Sequence, residues 1–126
     1  MSLPQTEHFT KFGDPLFSCP CCDEGGLSIS ILIVLEVIRT HYNAAVTITS
    51  GARCATRNPL VGGSKRSEHL VTEQETLSDA VDISVAGVSP TQLYIYLRSL
   101  PFANLLGLGK YATWVHVDTR GYAARW

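Results

Sequence analysis

The sequence predicts a small α+β domain in which helices pack on one face of a mostly antiparallel sheet. Its periodic segments follow one another in the order helix, strand, long loop, strand, helix and two strands. The chain has 126 residues, enough for a single domain over 1–126 whose core needs no disulfide to hold it. Its 45% apolar and 17% charged residues are typical of a globular protein and argue against long disorder.

The amino-terminal half predicts an arm, a helix and a strand. Prolines and a glycine interrupt any periodic pattern over about 1–22, which predicts an irregular arm. Apolar residues spaced three and four apart predict a helix over 27–42, and Asn43 suits the left-handed conformation that ends a helix. Residues 45–50 alternate small or apolar with polar side chains, which predicts a strand.

A long aperiodic loop divides the chain. Residues 52–66 contain Gly and Asn-Pro signals but no periodicity, and loops of that length in compact domains are often functional. Ser89 followed by Pro90 is the N-cap and first-turn signature of a helix. The elements predicted after the loop are a strand over 79–85, a helix over 90–99 and a closing hairpin over 105–110 and 113–118.

Charge and hydropathy exclude several classes of function. Ten basic and eleven acidic residues give a net charge of -1, which argues against nucleic acid or a membrane surface as the main partner. The longest apolar stretch, 29–35, is too short to cross a bilayer. No basic segment followed by an apolar one opens the chain, so we expect no secretory signal; action outside the cytoplasm would require another route of delivery.

Cysteine usage leaves several roles open. The cysteines are Cys19, Cys21, Cys22 and Cys54. Buried thiols, or one bridge to Cys54, agree with the usual burial of this residue type. The alternative is zinc binding by the first three, although a structural zinc site normally adds a second pair. A redox or zinc protein organised by these cysteines is therefore one functional hypothesis.

Two histidines and one aspartate stand out as candidate metal ligands. His69 ends the glycine-rich loop, Asp82 lies in an apolar strand where an unpaired carboxylate is costly, and His116 lies in the last strand. Two imidazoles and one carboxylate form a ligand set known for catalytic zinc, which polarises a scissile carbonyl and lowers the pKa of water. Asp118 projects to the same strand face as His116. The other two histidines, His8 and His41, are interpreted as structural or solvated.

A purely structural interpretation of the same residues stays open. On it, His69 is an exposed loop residue, Asp82 is a strand-edge carboxylate paired with an arginine, and His116 is a hydrogen-bonded core histidine. Spacing along the chain does not choose between the two interpretations.

A series of short motifs covers nearly the whole chain. In chain order they are Phe-Ser-Cys at 17–19, Ser-Gly-Ala-Arg-Cys at 50–54, Asn58, Val-Gly-Gly at 61–63, Ser-Glu-His at 67–69, Ala-Val-Asp-Ile at 80–83, Gly-Leu-Gly-Lys-Tyr at 107–111, Trp-Val-His-Val-Asp-Thr-Arg-Gly at 114–121 and Arg-Trp at 125–126. Together they resemble the M15 family of zinc peptidases, and more narrowly the small M15-type domains of phage endolysins and bacterial murein peptidases.

The resemblance implies a Hedgehog/DD-peptidase-like fold and a cell-wall hydrolase. It implies one Zn²⁺ bound by His69, Asp82 and His116, and a peptidoglycan stem or cross-link peptide as substrate, cleaved at an amide bond such as D-alanyl-D-alanine. It implies that Arg53 grips the substrate, since a guanidinium can hold a carboxylate or stabilise an oxyanion; an ion pair or a loop brace is the alternative. We expect a monomer acting at the bacterial cell wall or periplasm.

The sequence departs from the family pattern between the first two ligands. Twelve residues, 70–81, separate His69 from Asp82 where the family usually has six. An insertion at about 71–76 costs little entropy in a surface loop, so the zinc site can survive it. The inserted loop would overhang the cleft and alter access to it.

The second departure concerns the general base. Thr113 stands where many family members have an acid three residues before the last histidine, and threonine cannot take a proton from the attacking water. Asp118 is the predicted substitute, or else an acceptor that orients a ligand. Glu68 neighbours the first ligand but alternates away from it in an extended segment.

The missing acid also suggests an alternative function. The chain could be a catalytically degenerate, zinc-containing peptidoglycan-binding or structural module, which needs no general base. Tyr111 and Trp114 either line the cleft or pack in the core of the hairpin.

Overall fold

The computed structural model describes residues 6–9, 26–51 and 77–126. The elements in these ranges are β1 (Gly26–Leu27), α1 (Ile29–Tyr42), β2 (Val46–Ser50), β3 (Leu77–Ser78), β4 (Ala80–Val85), α2 (Pro90–Arg98), a short 3-10 turn (Ala103–Leu105), β5 (Gly107–Lys110), β6 (Val115–Asp118) and β7 (Ala124–Arg125). The α+β class predicted from the sequence is confirmed.

The main sheet is mixed but mostly antiparallel. Its strand order is β2-β4-β6-β5-β7, and only the edge pair β5-β7 is parallel. The two-residue strands β1 and β3 form a separate parallel pair. Because β4 and β6 are internal strands of the five-strand sheet, side chains on them are flanked by neighbours on both sides.

Alternation along the strands divides this sheet into two different faces. Val115 and Val117 of β6 join buried side chains of β4, α1 and α2 in one hydrophobic cluster. The residues between them, His116 and Asp118, project to the opposite face, as the period of a strand requires. The predicted placement of His116 and Asp118 on the same face of β6 is confirmed, and the helices pack on the valine face.

Local capping explains where α1 begins and ends. The Ser28 hydroxyl accepts a hydrogen bond from the Ile31 N–H, and the helix starts at Ile29 rather than at the predicted residue 27. At the other end Asn43 adopts φ 47° and ψ 46° and donates its N–H to the Arg39 carbonyl. The predicted left-handed stop at this asparagine is thus confirmed.

The sequence missed the shortest elements. Strands β1, β3 and β7 have two residues each, which is too short to show a period-two pattern. The hairpin strands are also shorter than predicted, because residue 105 belongs to the 3-10 turn and residues 113–114 to the connection before β6. The loop over 52–66 and all of the arm except 6–9 lie outside the described residues.

Neither helix in the described ranges has both the length and the apolar character needed to span a bilayer.

Helix α2 depends on a capping box whose removal is measurable. The Ser89 hydroxyl accepts from the Gln92 N–H, and the Gln92 side chain accepts from the Ser89 N–H. We expect Ser89→Ala to lower the free energy of unfolding by about 1 kcal/mol, because the Gln92 N–H loses the hydroxyl oxygen that accepts its hydrogen bond at the helix start. Urea denaturation followed by circular dichroism measures the change.

Thr91→Ala is the matched control, because Thr91 is exposed in the first turn of the same helix. It should change the free energy of unfolding by less than about 0.5 kcal/mol. An equal loss in both variants would contradict the capping explanation.

Candidate functional site

The candidate site lies on the sheet face opposite the hydrophobic core. Asp82 of β4 and His116 of β6 are paired directly across the antiparallel strands, and Asp118 lies two residues further along β6 on the same face. On the other side of β6, Gly107 and Gly109 of β5 are paired with Asp118 and His116. Two carboxylates and one imidazole therefore meet beside two positions that have no side chain.

His116 is held between the two carboxylates. Its Nε2 lies 2.7 Å from Oδ2 of Asp118, and its Nδ1 lies 2.9 Å from Oδ1 of Asp82. The side chain of Asp82 is 17% exposed, whereas that of Asp118 is fully buried. Asp82 is therefore the carboxylate that an ion or substrate can reach, and Asp118 supports the ring from inside the protein.

The Asp118 carboxylate accepts hydrogen bonds from several donors. Oδ1 accepts from Nε of Arg120 at 2.7 Å and from the backbone N–H groups of Gly107 and Arg120 at 3.2 and 3.3 Å. Oδ2 accepts from Nη2 of Arg120 at 2.7 Å in addition to its contact with His116. A Cβ at Gly107 would lie 2.5 Å from both carboxylate oxygens, so this close approach of β5 requires glycine.

These contacts shift the pKa values of both residues. Burial alone would raise the pKa of the Asp118 carboxyl, but hydrogen bonds from Arg120 and His116, together with their charges, hold it well below its usual range. Burial would lower the pKa of His116, but hydrogen bonds to Asp118 and Asp82 and their negative charges raise it. Asp118 is thus ionised, and the imidazole is in a field that favours a positive charge.

The two carboxylates place different demands on the two nitrogens of the His116 ring. Because Asp118 is ionised and accepts from Nε2, that nitrogen carries a proton. In the neutral ring Nδ1 would then be an acceptor facing the Asp82 carboxylate, which is also an acceptor, at 2.9 Å. A proton on Nδ1 resolves this conflict, and a divalent metal such as zinc held by both atoms would resolve it as well, because an imidazole nitrogen and a carboxylate oxygen are both zinc ligands.

Aromatic side chains surround His116 on its open side. The Trp126 ring lies 5.0 Å from the His116 ring, and its Nε1–H donates to the Tyr111 hydroxyl at 2.8 Å. Tyr111 in turn stacks on Trp114 with ring centroids 4.8 Å apart. Tyr111 is 40% exposed, so it lies at the surface near the site rather than in the core of the hairpin.

The structure brings together three of the residues singled out from the sequence, Asp82, His116 and Asp118. Thr113 is exposed in the connection between β5 and β6. The remaining candidates lie outside the described residues: Arg53, Glu68, His69, Cys19, Cys21, Cys22, Cys54 and the insertion at 71–76. Within the described ranges no group of three or more histidine, cysteine, aspartate or glutamate side chains is arranged to hold a metal ion.

The other two histidines occupy places that suit structural roles. Nδ1 of His8 lies 2.7 Å from the Glu36 carboxylate, and the His8 N–H donates to the same group at 2.8 Å, which fastens residues 6–9 to α1. His41 stacks on Tyr96 of α2 with ring centroids 3.8 Å apart. These contacts agree with the structural interpretation made from the sequence.

Arg120, Trp126 and the two glycines of β5 had no role predicted from the sequence. Arg120 lies two residues after Asp118, and its guanidinium folds back onto that carboxylate. Trp126 lies far along the chain from Gly109 but occupies the space that a side chain there would fill. The alternating glycines at 107 and 109 were the available signal, because glycine in a strand often marks close approach of another group.

Asp118→Asn tests the ionic character of the buried contacts. The substitution keeps the size of the side chain but removes the charge that faces Arg120 and His116. We expect the metal-free protein to lose about 2–3 kcal/mol in free energy of unfolding, because hydrogen bonds to charged groups are replaced and the guanidinium loses its counter-ion. Chemical denaturation measures the loss.

Asp79→Asn makes the same chemical change at a half-buried position next to β4, and we expect it to change the free energy of unfolding by less than about 0.5 kcal/mol. If both variants lose the same free energy, the charge of Asp118 has no special structural role.

One of three comparisons with known proteins gave a match. The family model described as "Peptidase M15" matches residues 11–118, a range that includes β4, β5 and β6 and thus all three clustered side chains. No curated protein and no solved structure matched the chain in the same comparisons. Because the matched range covers most of the sequence, the chain belongs to the M15 peptidase family.

Proposed function

We propose that this M15 peptidase is a zinc-dependent hydrolase of amide bonds in peptidoglycan stem or cross-link peptides. The observation that carries the proposal is the position of His116, whose Nδ1 faces the Asp82 carboxylate while Asp118 holds Nε2. A histidine fixed in this way by a buried carboxylate is typical of zinc sites. The carboxylate that accepts from the other ring nitrogen, here Asp118, makes the imidazole more basic and so a better ligand.

The proposed ligands of a single Zn²⁺ are Asp82 and His116 together with His69. The first two face each other in the structure, and His69 is assigned by the resemblance of its motif. When bound, zinc supplies Lewis-acid chemistry, because it polarises a carbonyl oxygen and makes water more acidic.

The other site residues are proposed to bind and orient. Asp118 is fully buried and already accepts hydrogen bonds from His116, Arg120 and Gly107, which favours an orienting role over the general-base role. It keeps the proton on Nε2 of His116, so that Nδ1, on the Asp82 side, is the ring nitrogen that would bind the ion. Arg53 is proposed to hold a substrate carboxylate or to stabilise the oxyanion.

The substrate class and place of action rest on the family resemblance. Peptidases of this kind act on peptide amide bonds, and the resemblance to murein peptidases and endolysins supports peptidoglycan and action at the bacterial cell wall or periplasm. We propose a monomer, since all the proposed site residues come from one chain.

A degenerate zinc-containing module is the second candidate function. Thr113 occupies the usual acidic position and is exposed, and Asp118 is engaged by other groups. Both observations would suit a protein that binds the cell wall through an intact metal site without cleaving it. The two functions differ in turnover, not in metal content.

Zinc content and hydrolysis of purified peptidoglycan, measured together, test the proposal. The native protein should contain one equivalent of zinc and release wall peptides. His116→Ala should lose both, because it removes a ligand. Arg53→Ala should keep zinc and lose hydrolysis by about 100-fold or more, because removing one oxyanion donor typically costs that much.

His41→Ala is the matched histidine control and should keep both zinc and activity, since His41 stacks on Tyr96 away from the site. Zinc without cleavage in the native protein would favour the degenerate module. Zinc retained by His116→Ala would place the ion elsewhere and direct attention to the cysteines. A native protein that cannot be loaded with zinc would refute both functions.

A further inference from the structure

We propose that Arg120 and Trp126 are positioning residues for His116, which they hold in its metal-binding orientation through Asp118 and through direct ring contact. The inference rests on the proposed function, because it concerns the same metal site. Neither residue is a proposed ligand, and neither needs to touch the substrate for this role.

The guanidinium of Arg120 binds the Asp118 carboxylate through two of its nitrogens. Nε and Nη2 of Arg120 each lie 2.7 Å from a different oxygen of Asp118, which is the bidentate pairing that only arginine can make. This pairing fixes the plane of the carboxylate. Because Oδ2 of that carboxylate also contacts Nε2 of His116 at 2.7 Å, the plane of the carboxylate determines the direction in which the imidazole is held.

The Arg120 guanidinium also lies near two aromatic rings. Its Cζ lies 5.2 Å from the Trp126 ring and 5.7 Å from the Tyr122 ring, both within the range of cation–π attraction. Arg120 is thus held by aromatic rings as well as by the carboxylate. An arginine restrained in this way loses less freedom when it forms its two hydrogen bonds.

The Trp126 indole is itself held in place by contacts with β5 and Tyr111. Its Nε1–H donates to Tyr111, and its ring lies where a Cβ at Gly109 would be, 2.4 Å from Nε1. The same indole lies 5.0 Å from the His116 ring at an angle of 43°. One side chain therefore contacts both the imidazole and the guanidinium that orients its partner carboxylate.

Gly109 offers a way to move the indole without changing any charged group. A methyl group at this position would overlap Nε1 and Cε2 of Trp126, at 2.4 and 2.6 Å, so the ring must shift. Gly109→Ala and Trp126→Leu should therefore have similar effects on His116, although one adds atoms and the other removes them.

The test uses the full chain and Zn²⁺ itself as the probe, with affinity measured by competition against a chelator. We expect Arg120→Gln, Trp126→Leu and Gly109→Ala each to weaken zinc binding by about 10-fold, the lower end of what loss of an outer partner of a metal ligand costs. Arg120→Lys should fall between Arg120→Gln and the native protein, because it keeps the charge and loses the fork.

Two spectroscopic readouts separate positioning from general loss of stability. In the metal-free protein the His116 Nε2–H proton should give a slowly exchanging NMR signal, which the three variants broaden or lose. In the Co²⁺-substituted protein the visible absorption bands should change in shape, because they report the geometry of the ligands. Thermal unfolding of each variant shows how much stability has been lost.

Arg125→Gln is the matched control. Arg125 is adjacent to Trp126, but its guanidinium donates to the carbonyl groups of Ala103 and Leu106 rather than to the site. It should lower the melting temperature and leave zinc affinity, the NMR signal and the Co²⁺ spectrum unchanged. An equal loss of zinc affinity in this control would overturn the inference.

The inference and the proposed function fail in different ways. Native zinc affinity in the Arg120 and Trp126 variants would overturn the inference alone, with the zinc site left intact. A native protein that binds no zinc would overturn the proposed function, and the metal-free NMR signal would still decide whether these residues position His116.

Discussion

The buried carboxylate of Asp118 is the group on which the site depends. A fully buried charge is costly unless it is paired and hydrogen-bonded, and here Arg120, His116 and the Gly107 N–H provide the partners. Each partner is restricted in turn: the arginine must reach with both nitrogens, the histidine must present Nε2, and β5 must have glycine. The need to satisfy one charge thus determines the orientation of the imidazole and the residue type on the neighbouring strand.

The sheet explains how such a polar cluster exists beside a hydrophobic core. Alternation on β6 buries Val115 and Val117 against the helices, and the same alternation presents His116 and Asp118 to the opposite face. The antiparallel register then brings Asp82 of β4 opposite His116. Because both strands are internal to the sheet, hydrogen bonds on either side hold their backbones, which keeps the three polar side chains in a fixed arrangement.

The edge strand β7 places an aromatic side chain beside His116. It pairs with β5 in parallel and brings Trp126 across Gly109 to the side of His116. The indole contacts the Arg120 guanidinium as well, so the exposed side of the imidazole is bordered by a ring that is itself fastened to Tyr111. The last residues of the described chain therefore belong to the surroundings of the site, although no metal-ligand pattern includes them.

The fold class, the family and the side chains available for chemistry could all be predicted from the amino-acid sequence. Periods of two and of three to four residues depend on local geometry, so the faces of β6, the cap at Ser89 and the stop at Asn43 were predictable. Other contacts could be known from the folded chain alone: which imidazole nitrogen meets which carboxylate, the pairing of Arg120 with Asp118, and the position of the Trp126 ring against Gly109. These contacts join residues on different strands, and strand register and side-chain rotamers follow from packing of the whole sheet rather than from any local period.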